Sequence, residues 1–144
     1  FSSSMEWERG LILAHCLGIM DRLMSDCLSY AHTRKISGQP ISSHQSISHK
    51  LAEMKVRVEA SRLLLYRAAW LKAKKKPATL ETSLAKLTVS ESYIENCRDA
   101  MQIYGGYGYM VEYELERELR DALASSLYSG TSEIQKNIIS SLSR

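Results

Sequence analysis

Residues 47–68 read ISHKLAEMKVRVEASRLLLYRA, and this stretch decides the fold. Ile47, Leu51, Met54, Val58, Ser61, Leu65 and Ala68 alternate steps of four and three without a miss. Such steps return to one face of a helix. The segment, extended to about Ser43–Lys74, therefore predicts a long helix with a single apolar stripe. No part of the chain alternates apolar and polar residues in the manner of a half-buried strand.

Pro40 and Pro77 bracket this segment, each between helical stretches. Upstream, from about Met5 to Arg34, Leu13, Leu17, Met20, Met24, Cys27 and Ala31 recur at steps of three and four. Downstream, from about Thr79 to Tyr104, Leu80, Leu84, Leu87, Ile94 and Met101 mark a third helix. It ends at Gly105-Gly106, a C-terminal stop. A shorter helix is expected from about Tyr113 to Leu127. A last one follows the break at Gly130, on the capping signal Thr131-Ser132-Glu133. Striped helices of this length bury their stripes only by packing together. The expected fold is all-α: an antiparallel four-helix bundle with a short additional C-terminal helix.

A chain of 144 residues is one domain's worth. Its net charge of +3 is too small to argue for nucleic acid or a membrane surface. No apolar run is long enough to cross a bilayer. Cys16, Cys27 and Cys97 are odd in number, widely spaced and set among apolar helical neighbours. They read as buried thiols rather than a disulfide framework or a metal site. Lys72, Lys74, Lys75 and Lys76 cluster at a helix C-terminus, where cations suit the dipole, and read as a solvated helix end. The chain opens FSSSMEWERG, without an initiator Met or a signal-peptide pattern. The expectation is one domain of a longer protein.

Two stretches are too irregular to be mere connectors. In RKISGQPISSHQ, Arg34–Gln45, a glycine and a proline fix a turn next to Arg34. The arginine is either a bidentate phosphate partner or a solvated side chain on a surface loop. In QIYGGYGYMVEY, Gln102–Tyr113, three glycines let backbone approach closely, and Tyr104, Tyr107 and Tyr109 offer flat faces. It is either a ligand-facing segment or a glycine-rich helix terminator. A dinucleotide fingerprint is excluded by context, because no strand precedes it.

Together with LYSGTSEIQ, Leu127–Gln135, these stretches resemble in order and spacing the C-terminal domain of the acyl-CoA dehydrogenase family, over essentially the whole chain. The resemblance implies a helical domain that follows an N-terminal helical domain and a small β-domain, both absent here. It implies FAD at the subunit interface of a homotetramer, a dimer of dimers. Arg34, Lys35, Ile36, His44 and Gln45 would face the FAD of a neighbouring subunit, with Arg34 near its pyrophosphate. Gln102, Ile103, Tyr104, Gly105 and Gly106 would line the adenosine-pyrophosphate end of that same cofactor. Thr131, Ser132 and Glu133 would approach the FAD of their own subunit, and free N–H groups at a helix start suit such a ligand.

The chain also departs from the family pattern. Ser37 stands where an aromatic is usual, Glu114 where proline is common, and Leu123 where arginine is common. Ser129 stands where much of the family places its catalytic glutamate. The family reaction removes an α-proton from an acyl thioester while the β-hydrogen leaves as hydride to flavin N5, and a serine without its own base cannot take that proton. Glu8, in MEWERG, matches the helix position that carries the base in the isovaleryl-CoA and long-chain branches. Glu8 is the expected base, and Glu6 is the substitute if the register differs. Glu8 also reads as an ordinary first-turn helix acid. Arg9, Tyr128, Ser129 and Gly130 would then lie on the substrate side, with Gly130 offering a backbone N–H near the thioester.

The function expected is α,β-dehydrogenation of an acyl-CoA within fatty acid metabolism, with electrons passed to an electron-transfer flavoprotein or to oxygen. The expected compartment is the cytoplasm, or the mitochondrial matrix in a eukaryote. One alternative is a dehydrogenase or oxidase of a carrier-protein-bound acyl or aminoacyl group. Another is a non-catalytic helical assembly domain.

Overall fold

The computed structural model describes residues 2–143, apart from the side chains of Ser2, Ser3 and Glu6. Among the described residues, seven α-helices follow in chain order: α1 (Ser2–Leu11), α2 (Ala14–Thr33), α3 (Gln45–Ala73), α4 (Thr79–Tyr104), α5 (Gly106–Tyr109), α6 (Leu115–Ser125) and α7 (Ser132–Leu142). Between α2 and α3 lie two short strands, β1 (Lys35–Ile36) and β2 (Gln39–Pro40), and a 3-10 turn, Ile41–Ser43.

The expected stripe on α3 is buried as read. Leu51, Met54, Val58, Ser61, Leu65 and Ala68 all face the core, and Ile47 packs against it. Cross-helix pairs give the directions. Lys50 Nζ meets Asp99 Oδ1 at 2.8 Å, while Arg67 Nη2 meets Glu81 Oε1 at 3.2 Å, so α3 and α4 run antiparallel. Arg22 and Tyr93 share Glu118, and Tyr30 stacks on Tyr104 at 4.0 Å, so α2 runs parallel to α4. Tyr93 Oη donates to Glu118 Oε2 at 2.9 Å and Lys86 Nζ to the Ser125 carbonyl at 2.7 Å, which makes α6 antiparallel to α4. Helices α2, α3, α4 and α6 thus form the up-down-up-down bundle.

Three features differ from the sequence reading. The first helix is two: Ile12 and Leu13 leave the helix, which keeps Leu13 buried while α1 turns Gly10 toward α4. A Cβ on Gly10 would sit 2.9 Å from Thr82 Cγ2, so only glycine permits that approach. The second is the small ladder Lys35↔Pro40 and Ile36↔Gln39, too short to show a period. Its turn places Ser37 at φ 52 and Gly38 at φ 79, the two positive values that a tight hairpin with strand-like twist requires. The third is α4. Of the five large residues expected to mark its buried face, Ile94 is buried, whereas Leu80, Leu84, Leu87 and Met101 are half-buried. Helix α4 packs against α1, α2, α3, α6 and α7, and is covered on most sides by small and polar residues such as Ser83, Ala85, Ser90, Asn96 and Ala100. A helix enclosed by neighbours on all sides admits few large side chains.

The charged and amide groups buried on α4 are matched, whereas the buried Ser83 hydroxyl has no partner. Asp99 receives Lys50 and Arg57, the latter at 2.7 Å. Asn96 Nδ2 donates to the Met54 carbonyl, and Lys86 is fully buried against the C-terminal end of α6, where a cation suits the helix dipole. Among the described residues, no group of three or more His, Cys, Asp or Glu side chains could hold a metal ion. No described helix is long and apolar enough to cross a membrane.

The cysteines are free and buried. Burial pushes the Cys16 thiol up to about 11 and Cys27 up to about 12, and it raises Cys97 as well. The native state therefore keeps these protons in a pH range where the unfolded chain has released them. The stability they hold below the ordinary thiol value of 9.0 is lost as pH rises toward 11 and 12. Lys86, lowered by burial, acts in the opposite sense but is a single group. The melting temperature, followed by circular dichroism, is expected to hold at neutral pH and to fall between about pH 9 and 11. A flat profile to pH 11 would contradict this burial.

Candidate functional site

The expected site residues fall into two groups toward opposite ends of α4. That helix has 26 residues. At ~1.5 Å per residue its ends lie on the order of 40 Å apart.

At the C-terminal end of α4, the hairpin and the glycine-rich segment enclose a cleft of about 760 Å³. Arg34, Ile36, His44, Gln102, Ile103, Tyr104, Gly105 and Gly106 all line it. Lys35, exposed on β1, and Gln45, the first residue of α3, flank it without lining it. Two links hold Arg34 at the end of α2: its N–H donates to the Tyr30 carbonyl and its carbonyl accepts from Ile41, each at 2.8 Å. Its guanidinium lies 5.6 Å from the centre of the Tyr107 ring, a cation–π contact. Gly105 turns the chain at φ 60, and a Cβ on Gly105 or Gly106 would meet nothing within 4 Å. Both glycines therefore leave bare backbone on the cleft wall.

Sequence reasoning missed Tyr30, Ile41, Ser46, Ile47 and Met110 in this lining. Tyr30 was within reach, since it lies one helical turn before Arg34. Of the tyrosines expected to offer flat faces, Tyr104 and Tyr107 line the cleft, whereas Tyr109 is 77% exposed and points away.

Toward the N-terminal end of α4, helix α1 meets the turn between α6 and α7. Ser129 Oγ donates to Glu8 Oε1 at 2.5 Å, across 121 residues of chain. Glu8 and Ser129, paired in the sequence reading through the family resemblance, are in contact. The Arg9 Nε is buried without a partner, 3.6 Å from where a Cβ on Gly130 would lie. Tyr128 packs against the core, with Lys86 Nζ 5.7 Å from its ring centre. Burial and the Cys16 charge push the Tyr128 hydroxyl up to about 12. The Glu6 side chain lies outside the described residues.

The start of α7 corrects one expectation. Its N–H groups are not free. Ser132 N–H donates to the Ser126 carbonyl at 3.1 Å, and Ile134 N–H to Thr131 Oγ1 at 3.4 Å. The Glu133 carboxyl is held below its usual range, first by its own backbone N–H and then by the Thr131 hydroxyl. Ser132 is buried, and its hydroxyl donates to Glu91 Oε1 at 2.6 Å. Thr131 is thus a working N-cap, and the start of α7 satisfies its own donors. Thr131 and Glu133 remain at the surface of the turn, whereas Ser132 anchors it to α4. Gln135 was missed: fully buried, it donates to the Gly130 carbonyl at 3.1 Å and fixes the shape of the turn.

A family model described as the C-terminal domain of acyl-CoA dehydrogenase matches residues 1–142. An L-prolyl peptidyl-carrier-protein dehydrogenase of Pseudomonas fluorescens is 41% identical over 96% of this chain, and the match spans 37% of that relative. The crystal structure of the prolyl acyl carrier protein oxidase AnaB superposes with a TM-score of 0.95 at 50% identity, over 96% of this chain and 37% of that one. PigA, solved with FAD and proline, superposes with a TM-score of 0.96 at 37% identity, over 99% of this chain and 37% of that one. This chain therefore spans little more than a third of the length of the proteins that it matches.

Gly130 is the least replaceable residue of the turn. It sits at φ 92, and a Cβ there would come within 2.6 Å of Gln135 Nε2. Both the backbone and the buried glutamine would have to move. Gly130→Ala is expected to lower stability by about 1–3 kcal/mol in thermal or urea unfolding. An unchanged midpoint would show that the turn is looser than this geometry.

Proposed function

The chain belongs to the acyl-CoA dehydrogenase family through its C-terminal domain, and from that premise we propose that it is part of an FAD-dependent enzyme that forms α,β-unsaturated acyl thioesters. The observation that carries this reading is the contact between Glu8 and Ser129. It brings a carboxylate from α1 to the point on the α6–α7 turn where the family motif otherwise supplies one. Glu8 takes the α-proton on the carboxylate oxygen that Ser129 does not hold. Arg9 and Gly130 face the thioester and its carrier moiety, with the Gly130 N–H toward the carbonyl, and Tyr128 forms the pocket wall. FAD, when bound, accepts the β-hydrogen as hydride.

The cleft at the other end suits the phosphate-bearing part of that cofactor. Arg34 offers a fixed cation, Gly105 and Gly106 offer open backbone, and Tyr104 and Tyr107 offer flat faces. Lys35 and Gln45 stand at its rim. By the family resemblance, the cleft serves the FAD of a neighbouring copy. Thr131 and Glu133 lie toward the FAD of their own subunit. A homo-oligomer follows, a dimer or the family's dimer of dimers, in the cytoplasm or a mitochondrial matrix. Electrons leave to an electron-transfer flavoprotein or to oxygen.

The likeness to AnaB and to the prolyl carrier-protein dehydrogenase favours a second reading of the substrate: an aminoacyl group on a carrier protein in place of an acyl-CoA. Flavin bleaching of the full-length protein by butyryl-CoA or by a proline-loaded carrier protein separates the two. In that assay Glu8→Gln is expected to slow bleaching about 10²- to 10⁴-fold while flavin stays bound. A near wild-type rate would overturn Glu8 as base. Arg34→Ala removes a charge-assisted phosphate contact and is expected to weaken FAD retention by roughly 10- to 100-fold, measured by flavin titration of the apoprotein. Unchanged affinity would place the cofactor elsewhere. Full flavin content with no bleaching by any thioester would leave only the assembly reading.

A further inference from the structure

Ser129 holds its backbone at φ 53, in the left-handed region that side chains other than those of glycine, asparagine and aspartate avoid. Gly130 follows at φ 92, so the turn contains two successive left-handed residues, of which one keeps a side chain. A glycine at 129 would remove that strain. The neighbouring serines behave differently. Ser125 and Ser126 donate their hydroxyls to the Ala122 and Leu123 carbonyls, three residues back on their own helix. Ser129 turns its hydroxyl away from the local backbone and donates it to Glu8 Oε1 at 2.5 Å.

Glu8 needs such a partner. It stands exposed on α1, a helix of 10 residues that is too short to be rigid by itself. Among the described residues no cation forms an ion pair with it. Its side chain is free to rotate unless something fixes one oxygen.

We infer that Ser129 is a positioning residue for the base: its hydroxyl anchors Oε1 of Glu8 and aims the other carboxylate oxygen at the substrate α-carbon. This rests on the reading of Glu8 as base. In the proton transfer the α-carbon proton passes to the free oxygen of Glu8, and Ser129 keeps its own proton throughout. The strained backbone is retained because the hydroxyl must come from that place in the turn. A purely structural serine would have been better as glycine.

The test uses full-length, FAD-loaded protein with butyryl-CoA and with a proline-loaded carrier protein, taking whichever bleaches the wild-type flavin. Ser129→Gly is expected to melt no lower than wild type, since it relieves the strained backbone. The first-order rate of bleaching should fall about tenfold while the thioester concentration for half-maximal rate stays within about twofold. The α-deuterium isotope effect on bleaching should rise, because proton removal is the step impaired. Ser129→Asn, which tolerates left-handed backbone and offers a donor, should recover part of the rate. A wild-type rate in Ser129→Gly, or a loss confined to the half-saturating concentration, overturns the inference. If Glu8→Gln bleaches slowly while Ser129→Gly bleaches normally, the base stands and its positioning by Ser129 falls. If Glu8→Gln bleaches normally, or neither thioester bleaches the wild type, the inference falls with the reading on which it rests.

Discussion

The enclosure of α4 is the constraint on which the rest of this structure depends. A helix with neighbours on nearly every side cannot carry a row of large apolar side chains, and it cannot leave a buried polar group unmatched without a cost of about 1–3 kcal/mol each. The chain meets the first condition with small residues and the second, for its charged and amide groups, with specific partners; the buried Ser83 hydroxyl is the exception. Asp99 is clasped by Lys50 and Arg57 from α3, and Lys86 reaches the carbonyl end of α6. Glu118 joins Tyr93 of α4 to Arg22 of α2. These contacts set the register of each outer helix against α4. Register, in turn, decides what stands at each end of the bundle.

The two ends differ in character. At one, glycines, tyrosines and an arginine held by backbone hydrogen bonds form an open cleft. At the other, a carboxylate from the first helix meets a strained turn that leads into a capped helix. On the proposed reading, the first end grips the cofactor of a neighbouring copy and the second removes a proton beside the chain's own. Assembly is then part of the chemistry, because a complete site needs two chains.

Much of this was legible in the sequence, and the misses have physical causes. The α3 stripe was read residue for residue because a helix with one buried face writes a clean period. Helix α4 was read with the right ends and the wrong face. A helix buried all round has no single stripe, so the large leucines at 80, 84 and 87 drew attention while Ser83, Ser90 and Asn96 did the packing. The break at Ile12–Leu13 left no mark, since Gly10 gains its meaning only from Thr82, 72 positions downstream. The clusters around the cleft and the turn were found through spacing that matches a known family, but the state of their donors was not. That Ser132 is anchored to Glu91, and that Ser129 reaches Glu8, depends on contacts between segments far apart in the chain.

On the proposed reading, the Arg34 cleft and the Glu8 turn of one chain act on different cofactors. Mixing two full-length variants, one Arg34→Ala and the other Glu8→Gln, tests it most directly. In a mixed assembly, one site combines the intact Glu8 turn of the first copy with the intact Arg34 cleft of the second. Thioester-driven flavin bleaching should therefore appear in the mixture at a rate that neither variant reaches alone. If the mixture, after demonstrated subunit exchange, bleaches no faster than the average of its parts, both groups act on one cofactor within one chain and the account is wrong.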